Sequence, residues 1–147
     1  MDRGWGKTSR VRRVAPPRHA GYIGAMYTAR VEAGFAAAHF LAHYHGKCER
    51  LHGHNYRVRV TSRGPKLDEG GMLVDFGVLK AALRDIVAEL DHTSLNDHPD
   101  FADGNPSAER IAAWVGGRMA AAVPGASIAL VEVFETDTSR ATWAPDQ

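Results

Sequence analysis

The chain has 147 residues, of which 44% are hydrophobic and 24% charged, the balance of a globular protein long enough to bury a core. It contains no run of about 18 apolar residues, which excludes a membrane-spanning helix. Its one cysteine, Cys48, excludes an internal disulfide and fits a reducing compartment, so a cytoplasmic protein is expected.

The net charge of +1 is unevenly spread. Residues 1–25 carry six basic side chains against Asp2 alone, a charge of +5, so the remainder sums to −4. This head contains Pro16-Pro17, has no sustained apolar period and lacks the apolar stretch of a secretory signal. It reads as a disordered basic extension ahead of a single domain over 26–147. A vector-derived or over-extended start is preferred to a transit peptide or a nucleic-acid-binding arm. The body is net acidic without a basic stripe, so no nucleic-acid partner is expected.

From Met26 the pattern changes. Tyr27, Ala29, Val31, Ala33 and Phe35 alternate with polar or small residues, the period of a half-buried strand. A second alternation runs through Tyr56, Val58 and Val60, and the two strands are expected to pair antiparallel across a connection of about residues 38–52. Apolar residues at Phe76, Leu79, Leu83, Ile86, Val87 and Leu90 mark one helix face, with Asp75 as the N-cap. Asn105-Pro106 reads as the start of a second helix that buries Ile111, Trp114, Val115 and Met119. A strand in "SIALVEVFET" and a short edge strand over Thr138–Trp143 close the chain. The predicted order is ββααββ, an α+β fold with an antiparallel four-stranded sheet and two helices on one face.

Five of the eight histidines lie between positions 39 and 54. His52 and His54 share the parity of Tyr56, Val58 and Val60, and His39 continues that of Val31 and Phe35. Three imidazoles therefore converge from two paired strands onto one face. Three histidines with an open fourth position suit a catalytic Zn²⁺, and neutral imidazole also suits nickel, copper or iron. An isolated H-x-H pair fits hydrogen-bonded core histidines better; the third histidine on the neighbouring strand turns the balance towards a metal. Cys48 keeps three readings here: a small buried residue, a fourth ligand closing a structural site, or a thiolate activated near the metal.

Six separated segments then align with one family. "FAAAH" at 35–39, "CERLHGHNY" at 48–56, "GMLVDF", "LDHTSLND", "NPSAE" and "VFET" stand in the order found in the 6-pyruvoyl-tetrahydropterin synthase and 6-carboxy-tetrahydropterin synthase family, which the chain from Met26 to Trp143 resembles. The resemblance implies the tunnelling fold (T-fold), with Zn²⁺ on His39, His52 and His54. It implies Cys48 as catalytic base with Asp91 and His92 completing a relay, and Glu135 as the pterin anchor. Ser107, where threonine is commoner in the family, and Glu109 would line the pterin pocket. It also implies a homo-oligomer, a hexamer built from two trimeric barrels, with sites at subunit boundaries. The implied substrate is 7,8-dihydroneopterin triphosphate. The expected product is 6-carboxy-tetrahydropterin of the queuosine/7-deazaguanine route, with the 6-pyruvoyl product as runner-up. Other readings remain beside these. A carboxylate at a strand end is commonly a solvated charge, and a histidine after a helix meets the helix dipole. A non-catalytic, zinc-stabilised pterin-binding module is the rival of another class.

Overall fold

The computed structural model describes residues 24–146. Residues 1–23 and 147 lie outside it, and the basic extension expected over 1–25 falls almost wholly there. The first two strands, β1 (Tyr27–His39) and β2 (His52–Gly64), form an unbroken antiparallel ladder from Tyr27↔Gly64 to His39↔His52. Alternation dictates the pairing. Val31, Phe35, Ala37, Tyr56, Val58 and Val60 are buried on one face, and any one-residue slip would turn that set to the other face.

Helix α1 (Phe76–Ala88) starts at the expected cap, with the Asp75 carboxylate accepting from the Gly77 amide at 2.6 Å. Its buried stripe is Leu79, Leu83, Ile86 and Val87, followed by Leu90 beyond the helix end. Phe76 does not join the stripe and is 54% exposed, because the first helical residue precedes the turn that meets the sheet. A two-residue strand, β3 (Thr93–Ser94), then pairs in parallel with Ala37 and Ala38 at the edge of β1.

The second helix, α2 (Ala108–Ala122), begins later than expected. Ser107 is the N-cap, its hydroxyl accepting from the Arg110 amide at 3.4 Å. Asn105 and Pro106 cannot take that part, since the Asn105 side chain is bonded to the Ala42 backbone and the Pro106 carbonyl faces His39. Ile111, Val115 and Met119 are buried as anticipated. Trp114 is only half-buried; it covers Phe101, donates to Asp100 at 2.6 Å and lies under Arg118.

Strands β4 (Ile128–Phe134) and β5 (Arg140–Trp143) complete a five-stranded sheet of order β3-β1-β2-β4-β5. The α+β class and the two helices over one face are as expected, and the fifth strand is the short β3. Fully buried Leu79, Leu83, Ile111, Val115 and Met119 meet Val58, Val60, Val131 and Val133 between the layers. Each such side chain contributes about 1.5–3 kcal/mol. No helix among the described residues is long and apolar enough to cross a membrane.

At one point a side chain of the sheet rests on bare helix backbone. The Trp143 ring lies directly on the α2 backbone at Gly116, where an added Cβ would overlap the ring. Gly116→Ala is expected to displace β5 and lower stability by about 1–3 kcal/mol, read as a shift in the urea midpoint at constant slope.

Candidate metal centre and substrate cavity

The β1–β2 register delivers the histidines. His39 ends β1 and pairs with His52, the first residue of β2, and His54 follows two positions later on the same face. One ring nitrogen from each gives a set of three ligand atoms all within 4.8 Å of one another. His39 is fully buried, and His52 and His54 are half-buried.

Backbone carbonyls set the tautomers. His39 Nδ1 lies 3.0 Å from the Pro106 carbonyl, and His52 Nδ1 lies 2.7 Å from that of Arg50. A carbonyl only accepts, so each Nδ1 carries the proton and each Nε2 presents a lone pair. Those two Nε2 atoms then face one another at 3.1 Å. The third, His54 Nε2, is buried with no hydrogen-bond partner. Burial lowers the His54 pKa, with the Glu135 carboxylate opposing and the other two rings assisting, so the ring is neutral at pH 7. Two rings whose outer nitrogens are tied to carbonyls, and a third neutral ring with an unpartnered buried nitrogen, suit a divalent cation. The donor set fits a metal ion.

Cys48 lies outside that set of three, half-buried in a 3₁₀ turn over Lys47–Glu49. Its place is fixed from below, since the Cys48 carbonyl accepts from the Leu41 amide at 2.8 Å. The segment before it is clamped at two points that the sequence reading missed. The Asn96 side chain takes both backbone groups of Phe40, at 2.9 and 3.0 Å, and Asn105 does the same for Ala42, at 2.7 and 2.8 Å. Both asparagines stand in the quoted segments "LDHTSLND" and "NPSAE", which was the available signal. His43 and His45 sit exposed in the left-handed region, with φ of 63° and 56°, and take no part in the cluster.

The three residues expected to meet a pterin are brought together. Ser107, Glu109 and Glu135 line one cavity of about 210 Å³ with Leu41, Ala108, Ser139, Arg140 and Ala141. Arg140 is the cationic member that the sequence did not single out. Glu135 also reaches the histidines: its Oε1 stands 3.3 Å from His39 Nε2 and 3.6 Å from His54 Nε2. The cavity and the histidine cluster therefore share a wall.

Asp91 and His92 form a couple at the open edge of β1. Asp91 Oδ2 lies 2.9 Å from His92 Nδ1, while Oδ1 accepts from the Ala36 amide at 2.8 Å. The Ala36 bond and then the His92 bond hold the carboxyl below its usual pKa. His92, with φ of 57°, points outward and is 82% exposed, with Asp91 as its side-chain partner among the described residues.

Three histidines able to hold a metal ion stand at one end of a helix-backed sheet, next to a carboxylate-lined cavity, in an α+β fold. The chain belongs to the 6-pyruvoyl tetrahydropterin synthase family, whose model matches residues 28–146. It is 46% identical over 118 residues to the 6-carboxy-5,6,7,8-tetrahydropterin synthase of Synechocystis, covering 76% of this chain and 88% of that one. It is 33% identical over 136 residues to the 6-pyruvoyl tetrahydrobiopterin synthase of Poecilia reticulata, covering 83% and 88%. The structure of Caenorhabditis elegans 6-pyruvoyl tetrahydropterin synthase superposes with a TM-score of 0.75 over 83% of this chain and 97% of that one; at 24% identity this bears on the fold alone.

The lowered Asp91 pKa has a sign. The bonds that depress it stabilise the fold above the unfolded-state pKa and are lost as pH falls through the folded value. Asp91→Asn is therefore expected to destabilise the protein at pH 7 and to shrink the loss of stability seen in the wild type below about pH 4. Urea midpoints for both proteins between pH 2.5 and 7 check this; parallel profiles would contradict it.

Proposed function

We propose that the protein is a zinc-dependent lyase that converts 7,8-dihydroneopterin triphosphate and water to 6-carboxy-5,6,7,8-tetrahydropterin, releasing acetaldehyde and triphosphate, in queuosine/7-deazaguanine biosynthesis. The observation that carries the reading is the common wall between the three-histidine cluster and the cavity of Ser107, Glu109 and Glu135. The 6-carboxy name of the 46%-identical relative favours this product over the 6-pyruvoyl one.

His39, His52 and His54 would hold the zinc, and the bound ion would acidify neighbouring groups and stabilise negative charge developing on the substrate side chain. Everything else is done by the chain. The pyrimidine edge of a pterin presents adjacent N–H donors, which a carboxylate accepts in bidentate fashion; Glu135 and Glu109 offer two in one cavity. Ser107 adds a hydroxyl there, although its oxygen is also engaged at the α2 cap. Cys48, in the segment between His39 and His52 and tied by its carbonyl to the Leu41 amide, would take a proton as thiolate. His92, oriented by Asp91, would return or relay one.

The outward direction of His92 supports assembly of copies, since a relay that turns away from its own chain serves a site on another. Among the described residues, β3 and β5 end the sheet with no further strand beyond them, which supports edge-to-edge joining into trimeric barrels and a hexamer.

Two outcomes test the reading. Mass spectrometry after incubation of zinc-loaded protein with the triphosphate substrate should find 6-carboxy-tetrahydropterin together with acetaldehyde. A 6-pyruvoyl product without acetaldehyde would replace the first choice with the second. Cys48→Ala should retain zinc and fold while losing turnover by about 10²–10⁴-fold, the scale of a missing acid–base group. If that variant instead releases its metal and melts, Cys48 is a ligand and the non-catalytic pterin-binding module gains.

A further inference from the structure

Four acceptor atoms converge at the end of the sheet, one more than the histidines supply. His39 Nε2 stands 3.1 Å from His52 Nε2 and 3.3 Å from Glu135 Oε1, and His54 Nε2 stands 3.6 Å from that same oxygen. Bonds of 2.0–2.1 Å to a tetrahedral zinc place neighbouring ligand atoms about 3.3–3.4 Å apart. Three separations therefore approach the edges of one coordination tetrahedron. The carboxylate stands at the His39 and His54 corners and outside the compact set of three histidine nitrogens, so ligation requires its side chain to turn towards His52.

Glu135 is built to make that movement. Its backbone is held just past β4, where its amide donates to the Ser139 carbonyl at 3.1 Å. Its side chain is 29% exposed and lies on the boundary between the cluster and the cavity. Charge gives the reason. Three neutral imidazoles leave a half-buried divalent ion with its full +2, whereas an inner carboxylate brings the centre to +1 and lowers the cost of burying it.

We propose that Glu135 is the fourth metal ligand of the substrate-free protein, and that a pterin draws the carboxylate off the metal as it binds. The inference rests on the metal centre of the proposed function and deepens it. One carboxylate cannot grip both the pyrimidine N–H donors and the metal at full strength. Seating the ring therefore opens the fourth position, and an empty cavity keeps it closed. The metal is exposed to substrate oxygens only after the pterin is in place.

Cobalt substitution reads this without turnover. The visible absorption of Co²⁺ reports its ligand set, and competition with a chelator reports zinc affinity. Unsubstituted pterin serves as the probe, since it has the ring and no side chain to reach the metal. Wild-type cobalt protein should change its spectrum on adding pterin. Glu135→Gln and Glu135→Ala should bind zinc more weakly by more than the about 10–100-fold that losing an outer-shell partner costs. They should also show an altered spectrum at once, which pterin leaves unmoved. Urea midpoints of the metal-free variants matching the wild type would confirm that the fold is intact.

Variants with wild-type affinity and spectrum would overturn the ligand assignment while leaving the three-histidine centre standing. A wild-type spectrum indifferent to saturating pterin would overturn the displacement. Wild-type protein that takes up no cobalt would overturn the metal centre itself, and the ligand with it.

Discussion

The site depends on one register. The thirteen-residue ladder of β1 and β2 places His39 opposite His52, and with side chains alternating by two, His54 follows onto the same face. The ladder is pinned from both sides of the sheet. On the helix face Val31, Phe35, Tyr56, Val58 and Val60 are buried. On the other face Arg59 bridges its two direct partners, meeting Glu32 of β1 at 2.5 Å and Glu132 of β4 at 3.5 Å. A slip by one residue would expose the core and take Arg59 away from both carboxylates at once. The histidines inherit a precision fixed mostly by residues that never touch a metal.

The connection that carries Cys48 needs a different kind of order. Residues 40–51 lie between the strands with no ladder of their own, and regular structure is limited to one 3₁₀ turn. Asn96 and Asn105 supply what a neighbouring strand would have supplied, each pairing with an N–H and a C=O of one residue. An amide side chain is the one common group that offers a donor and an acceptor side by side in this way. Because Asn96 follows β3 and Asn105 precedes α2, the loop is tied to the edge strand and to the start of the second helix together.

Much of this was legible in the sequence, for a physical reason: parity is local. Alternation located β1 and β2, aligned His39 with His52 and His54, and placed the Asp75 cap from a few neighbouring residues. What was not legible depended on partners far along the chain. Asn105-Pro106 has the composition of a helix start, yet its side chain and carbonyl are committed 63 and 67 residues away, and the cap passes to Ser107. A two-residue strand such as β3 has no period to read. Phe76 and Trp114 satisfy helical spacing, but whether a particular turn faces the sheet is a tertiary fact. The family motifs pointed to Glu135; its position between cavity and cluster came only with the folded chain.

The location of the centre at the end of the sheet follows from hydrogen-bond supply. A histidine that is to present Nε2 to a cation must give its Nδ1 proton to a fixed acceptor, and carbonyls are the acceptors at hand. Inside a sheet, carbonyls are consumed by the ladder. At the mouth of β1 and β2 they are not: the Pro106 carbonyl, just ahead of α2, takes His39, and the Arg50 carbonyl, just ahead of β2, takes His52. Moved three residues into the ladder, the same histidines would share a face but lose those acceptors, and with them the definition of which nitrogen carries the lone pair. The strands bring the rings together; the irregular segments at their ends fix which nitrogens of His39 and His52 are free to meet a cation.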